Sequence, residues 1–391
     1  MSKHICSKCM EVFDGPVEED RCPKCGARSP QFLDFENSDR RLKEEVPRVL
    51  AERKEAGLDG LVGGLDAVII NTEPALQKAA SEELLRFTGH EFDEAFQDPQ
   101  YKTVVLKMEG SADILVRSRL NGENPFRDLN IQPKSKHLPN TRLETLVFRT
   151  TDLEKYVSIQ SSRGVSFLTD DIIDGEKYSF IQTAPSRFTG NSLGFIQWHG
   201  KGGDYKTLGS ELMDWDLPKP DLGHLENIKY LDHAATRIKA EDRDAAILEF
   251  IKLTNYDFDF AIFVKVFNSI TSVARLSKSD FAMVFTSGIS PYVSEEVSGP
   301  TEKFVHNYGT RVHHLAFQTE DIEDTYSALV EDGMEFLIEL VGSPDEGLKQ
   351  TFTQPAKNTL IVNEYIHRYG DFDGFFTKSN VAVLTEATGK Q

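Results

Sequence analysis

The chain has 391 residues, enough for two or more domains with cores of their own. Its net charge of −19, from 63 acidic against 44 basic residues, argues against a broad surface for nucleic acid or anionic membrane, since both need clustered positive charge. The opening "MSKHICSKCM" lacks the apolar core of a signal peptide, and no stretch approaches about 18 uncharged apolar residues, so a soluble cytoplasmic protein is expected.

The four cysteines all precede residue 26, as Cys6, Cys9, Cys22 and Cys25 in the pattern C-x2-C-x12-C-x2-C. Two CxxC pairs let four thiolates converge tetrahedrally on one ion, which predicts a structural zinc ribbon over residues 1–30. Rubredoxin-like iron is the minor alternative. So short and polar a module does not fold without its metal. With this net charge it reads as a structural knob or a dock for a protein partner rather than a DNA reader. A charged linker over 31–60, "NSDRRLKEEVPRVLAERKEAG", is predicted to be helical.

From here the chain repeats itself. Four segments each open with a short apolar strand, followed by an amphipathic helix and two or three more strands. The openings are "LDAVIINT", "LETLVFRTTDL", "LDHAATRI" and "VHHLAFQTEDI". Helical periodicity follows in "EPALQKAASEELLRFTG", in "EDRDAAILEFIKLT" and in "TEDIEDTYSALVEDG", where Thr319 suits an N-cap and Gly333 a stop. Alternating strands follow in "YKTVVLKM", "FAIFVKVF", "FAMVFTS" and "NTLIVNEYIH". Four βαβββ units predict an α+β protein of two domains, 61–205 and 228–391, each a pair of units forming an open barrel-like sheet around a cleft. The Gly-, Pro- and polar-rich stretches 121–140 and 200–228 read as linkers, "GKGGDYKTLGS" among them.

Comparing the copies locates candidate chemistry. His233 opens the third copy where the first has Ala67, and His314 stands in the fourth where the second has Thr145. Glu364 lies in the last strand of the fourth copy, where the second is matched by Gln197. The C-terminal pair alone thus holds two imidazoles and a carboxylate at cleft positions. That is the facial set of non-haem Fe(II), though zinc, manganese or nickel fits the same donors. In "RVHHLAFQ" strand alternation assigns the cleft to His314 and the opposite face, or the cleft's edge, to His313. The remaining histidines, His90, His137, His199, His224, His306 and His367, are scattered and read as surface or local structure.

The C-terminal half resembles the family of 4-hydroxyphenylpyruvate dioxygenase and hydroxymandelate synthase, in the vicinal-oxygen-chelate superfamily. The stretches that carry the likeness are "LDHAATRI", "GTRVHHLAFQTEDIEDTYSAL", "GMEFL", "KQTFTQP", "TLIVNEYIHR" and "GFFTKSN". The N-terminal half matches in architecture only, and the zinc ribbon is foreign to the family pattern. The likeness implies two vicinal-oxygen-chelate domains, with His233, His314 and Glu364 as Fe(II) ligands. It also implies a 2-oxo acid that chelates the metal and is oxidatively decarboxylated and hydroxylated with O2. Gln350 and Phe352 occupy substrate-pocket positions of the family, while Phe375, Phe376 and Asn380 fall on its C-terminal capping helix. Four places depart from the pattern: Thr271 replaces an asparagine, Gly299 and His313 replace glutamines, and Val381 replaces a phenylalanine. These changes imply a substrate other than 4-hydroxyphenylpyruvate, with Phe375 or Phe376 supplying a ring contact and His313, where the family has glutamine, either packing or making a hydrogen bond behind the ligand or a contact to substrate. The expected partners are a small 2-oxo acid and O2, with homo-oligomerisation left open and neither nucleic acid nor membrane involved. Two competing readings are an extradiol ring-cleaving dioxygenase and a non-catalytic small-molecule-binding regulator docked through its ribbon.

Overall fold

A computed structural model describes residues 3–6, 12–14, 32–34, 37–175 and 177–391. Most of the ribbon, with Cys9, Cys22 and Cys25, lies outside the described residues. Of that region the described backbone forms three short antiparallel strands, β1 (Lys3–Cys6), β2 (Val12–Asp14) and β3 (Phe32–Asp34), in the order β2-β1-β3. The predicted linker helix is α1 (Arg40–Glu55).

Four βαβββ modules follow. The first is β4 (Val62–Asn71), α2 (Gln77–Phe87), β5 (Glu91–Gln97), β6 (Tyr101–Lys107) and β7 (Asp113–Arg119). The second is β8 (Arg142–Thr150), α3 (Leu153–Ser162), β9 (Ile173–Asp174), β10 (Tyr178–Gln182) and β11 (Ser192–Trp198), and a two-residue edge strand β12 (Glu211–Leu212) comes after it. The third is β13 (Ile228–Arg237), α4 (Arg243–Leu253), β14 (Asp257–Val264), β15 (Ser269–Arg275) and β16 (Ala282–Gly288). A helix α5 (Pro300–Tyr308), absent from the repeat pattern, precedes the fourth module. That module is β17 (Arg311–Thr319), α6 (Ile322–Glu331), β18 (Val341–Ser343), β19 (Leu348–Phe352) and β20 (Val362–Arg368), and α7 (Lys378–Ala387) follows it.

The modules pair head to head. The N-terminal sheet runs β12-β5-β6-β7-β4-β8-β11-β10-β9 and the C-terminal sheet β14-β15-β16-β13-β17-β20-β19-β18. In each, the two opening strands meet antiparallel at the centre, β4 on β8 and β13 on β17. These central strands are buried over nearly their whole length, so both faces are covered: one by helices, the other by the concave interior of the curled sheet. The helices supply apolar stripes at helical spacing, such as Ala246, Ile247, Phe250 and Ile251 of α4 or Ile322, Thr325 and Leu329 of α6.

The halves are tied together. Arg53 of α1 donates to the carbonyls of Ile251 (3.4 Å), Thr254 (3.1 Å) and Tyr256 (2.9 Å), satisfying acceptors around the C-terminal end of α4. Tyr156 of α3 donates to Leu253 O at 2.8 Å.

Three local expectations change. Thr319 does not cap α6: it ends β17, and Asp321, at φ 43°, is the N-cap, while Gly333, at φ 89°, does close the segment. The 200–228 stretch is more than a linker. Its Tyr205 is buried in the concave face of the N-terminal sheet, its hydroxyl within hydrogen-bond distance of Asp66 (3.1 Å) and Asp113 (2.9 Å), and Leu217 joins the core. Gln197 is not the counterpart of Glu364. Parallel pairing sets Gly194 beside Val147 as Glu364 is set beside Ala316, so Gly194 is the equivalent residue and Gln197 matches His367. The first-glance match failed by three residues because the tail of the strand is similar in both copies, while the register is set by pairing.

A candidate metal centre

The same register verifies the other two matches: Ala67 pairs with Val147 as His233 pairs with Ala316, and Thr145 pairs with Ile69 as His314 pairs with Ala235. The three positions therefore read Ala67, Thr145 and Gly194 in the N-terminal sheet and His233, His314 and Glu364 in the C-terminal one. In the first, apolar side chains fill the concave face. A Cβ on Gly194 would lie 2.9 Å from the Phe180 ring and 3.1 Å from Thr145 and Val147.

In the second, ligand atoms converge. His233, His314 and Glu364 are all buried, and one donor atom from each lies within 4.8 Å of the others. Glu364 Oε2 stands 3.1 Å from the Nε2 of both imidazoles. Among the described residues, no other group of three or more His, Cys, Asp or Glu side chains brings its ligand atoms together in this way. Two imidazole nitrogens and one carboxylate oxygen on one side of a point suit a divalent transition metal with open positions.

Each of these side chains is held from behind. His233 Nδ1 lies 2.7 Å from Asp232 Oδ1, and Arg368 grips the same carboxylate at 2.6 and 3.1 Å. A proton on Nδ1 then leaves the Nε2 lone pair aimed inward. Gln350 donates to Glu364 Oε1 at 2.5 Å, leaving Oε2 for the centre, and Asn380 of α7 donates to Gln350 Oε1 at 3.1 Å. His314 Nδ1 meets His313 Nδ1 at 2.8 Å, and His313 Nε2 meets Gln391 Oε1 at 2.9 Å.

That last contact sets His313 behind His314. Strict alternation would send it to the far face, but the pairing of β13 with β17 slips between Ala235–His314 and Thr236–Val312, so His313 is the extra residue of a bulge. A bulge re-aims a side chain, and here it lets neighbouring histidines touch. Glu144 is the bulged residue of the N-terminal sheet and is spent on Arg119, at 2.7 Å to each oxygen.

Electrostatics follow from this packing. Burial alone would depress the His233 imidazole, but the carboxylates of Glu364 and Asp232 outweigh it and raise it to about 9. Burial would raise Glu364, but the two imidazoles bring it down to about 2. Burial wins at His314 and at His313, so both are held neutral. In the metal-free protein the core of the site is thus an ion pair between His233 and Glu364, beside the neutral imidazole of His314.

A small cavity of about 40 Å³ opens on His314 and Glu364 and is lined also by Gln350, Phe352, Thr271 and Phe376, with Val381, Leu384 and Thr385 of α7 above. Sequence reasoning therefore places Thr271, Gln350, Phe352 and Phe376 on the cleft wall. His313 and Asn380 stand behind it. Phe375 packs edge-on against the His233 ring and lies between the guanidinium groups of Arg275 and Arg368. Gly299 admits no side chain: it precedes α5, and a Cβ there would lie 2.2 Å from Phe267 O.

Sequence reasoning missed Asp232, Arg368 and Arg237. The "LD" shared by the first and third copies was a signal for Asp232, whose counterpart Asp66 accepts from Trp198 (3.2 Å) and Tyr205 instead. Arg237, a charge in an apolar strand four residues beyond His233, was a second.

No protein-family model matches the sequence, and no curated protein is recognisably similar to it. Solved structures are. A triple mutant of 4-hydroxymandelate synthase from Streptomyces coelicolor superposes with a TM-score of 0.62 at 14% identity, over 84% of this chain and 99% of that one. The fold is the vicinal-oxygen-chelate fold. A fusion of a xylose isomerase-like TIM barrel with 4-hydroxyphenylpyruvate dioxygenase superposes at 0.59 and 13% identity, over 87% of this chain and 56% of the fusion. At such identities the likeness speaks for the vicinal-oxygen-chelate architecture, and the chemistry has to be argued from the site. Among the described residues, no helix is long and apolar enough to cross a membrane.

Proposed function

We propose that His233, His314 and Glu364 bind Fe(II) and that the protein is a dioxygenase which oxidatively decarboxylates and hydroxylates a 2-oxo acid, aryl or similar. The observation that carries this reading is the convergence of the three buried donors, each with its outer atom already engaged. It is supported by a fold shared with the structures of a 4-hydroxymandelate synthase mutant and a 4-hydroxyphenylpyruvate dioxygenase fusion. A metal so held supplies open positions for a bidentate 2-oxo acid and for O2.

The chain's own residues do the rest. Asp232 and His313 keep the Nδ1 protons of the two ligands in place, and Gln350 fixes the carboxylate. Phe352 and Phe376, with Val381 and Leu384 of α7, wall the cleft with apolar surface that excludes water from the reacting atoms. Thr271, in place of an amide, and Val381, in place of a ring, give this cleft a selectivity of its own. On the same reading Cys6, Cys9, Cys22 and Cys25 hold a structural zinc.

An oxygen electrode tests the reading. Protein loaded with Fe(II) should consume O2 and release CO2 in equal amounts with at least one arylpyruvate or related 2-oxo acid, and should be silent with catechols. Uptake with catechols and not with 2-oxo acids would replace this function with ring cleavage, and no uptake with either class would favour a binding protein.

A further inference from the structure

Arg237 lies at the end of β13, four residues from His233 along the same strand, and lines the cleft with His314 and Glu364. It is 4% exposed, yet its Nε and Nη1 have no hydrogen-bond partner, and no ion pair reaches its guanidinium among the described residues. Its one defined contact is a ring: the guanidinium carbon sits 4.9 Å from the centre of Phe304. Burial lowers it to about 9, so it still carries its charge at neutral pH. Arg243 pairs with Asp39 and Asp244, and Arg368 with Asp232, while the equally buried Arg142 and Arg311, which make no ion pair, at least donate to Asn130 and to the Thr310 and Thr141 carbonyls. An unpartnered buried cation is costly unless something supplies its anion.

We infer that Arg237 receives a second anionic group of the substrate, so that the cleft is built for a 2-oxo acid carrying a carboxylate at its far end. The inference rests on the proposed 2-oxo acid chemistry and follows from charge balance. A divalent metal, the Glu364 carboxylate and the substrate's first carboxylate sum to zero. Asp232 and Arg368 pair with each other. Among the residues lining the cleft Arg237 is then the remaining positive charge, and a monoanionic substrate leaves it unpaired. Thr271, Thr286 and Thr301 line the same cleft, and Phe352, Phe376 and Leu384 add apolar wall. The preferred ligand is therefore anionic at both ends and apolar between.

The test compares wild type with Arg237→Met, a residue of similar length without charge. Titration calorimetry under nitrogen on Fe(II)-loaded protein would use two matched pairs: 4-carboxyphenylpyruvate against phenylpyruvate, and 2-oxoglutarate against 2-oxopentanoate. The wild type should bind the dicarboxylate of at least one pair roughly tenfold or more tighter than its partner, the range expected of a charge-assisted arginine–carboxylate contact. Arg237→Met should lose that preference while binding the monocarboxylate no more weakly. Without ligand the variant should melt no lower than wild type, because it removes an unpaired buried charge. Equal affinity within both pairs, or a preference that survives in the variant, overturns the inference. Loss of monocarboxylate binding in the variant also overturns it, by assigning Arg237 to the first carboxylate. If the wild type holds iron but binds none of the four acids, the 2-oxo acid reading itself falls and takes this inference with it.

Discussion

His313 Nδ1 lies 2.8 Å from His314 Nδ1, because a bulge in β17 turns two sequence neighbours toward each other. Only one of the two nitrogens can carry the proton. If His314 Nε2 ligates a metal, the proton sits on His314 Nδ1, and His313 must accept it while donating from Nε2 to Gln391. The second histidine is thus what fixes the first as a ligand. Replacing His313 with Leu should lower Fe(II) affinity by about 10- to 100-fold, the usual range for loss of a partner behind a metal-bound histidine, with little change in fold. An unchanged Kd by anaerobic titration would mean that the contact is packing only.

Gln350 should act through Glu364 in the same way. Its amide is the donor to the outer carboxylate oxygen, and it is itself held by Asn380. Gln350→Leu should weaken metal binding by a similar factor, and Asn380→Ala by less. An unchanged Fe(II) Kd in Asn380→Ala would mean that α7 serves merely as a cover.

The metal-free protein should respond to pH with a definite sign. His233 is raised to about 9, above its unfolded value near 6.5, so its charge stabilises the fold fully below about pH 6.5 and that stabilisation is lost as pH rises through 9. Glu364 is lowered to about 2, so its contribution is present above its unfolded value and is lost as pH falls through 2. A metal must displace the His233 proton, so apparent Fe(II) affinity should climb about tenfold per pH unit from pH 6.5 toward 9 while metal-free stability falls. Melting curves with and without metal across that range check both slopes, and parallel slopes would contradict the ion pair.

The N-terminal cleft should resist conversion into a second site. Gly194 stands where Glu364 does, but Phe180 occupies the space a side chain would need. Gly194→Ala should destabilise the protein by about 1–3 kcal/mol through overpacking, measurable by denaturant unfolding. A neutral result would show a cavity where the packing shows none.

Much of this was legible in the sequence for a physical reason. Repeated modules place equivalent residues at equivalent points, so two histidines present in one half and absent from the other mark the altered face without reference to any other protein. What escaped was register. Gln197 looked like the partner of Glu364 because alternating strands resemble one another when shifted, and only hydrogen-bonded pairing fixes which residue meets which. The bulge at His313 escaped for the same reason, since alternation is a rule about regular strands. Tyr205 was hidden in a glycine-rich stretch whose composition signals a loop but not what the loop covers. Arg237 was visible all along as a charge inside an apolar strand. Its lack of a partner is a property of the folded cleft.

The account stands on one claim, that His233, His314 and Glu364 jointly hold a catalytic metal. The most direct test is anaerobic Fe(II) titration of wild type and of Glu364→Ala, each followed by oxygen uptake with an active 2-oxo acid. The account predicts one tight equivalent of iron and turnover in the wild type, and neither in the variant, at matched melting temperature. Retention of that equivalent or of turnover in Glu364→Ala would contradict it.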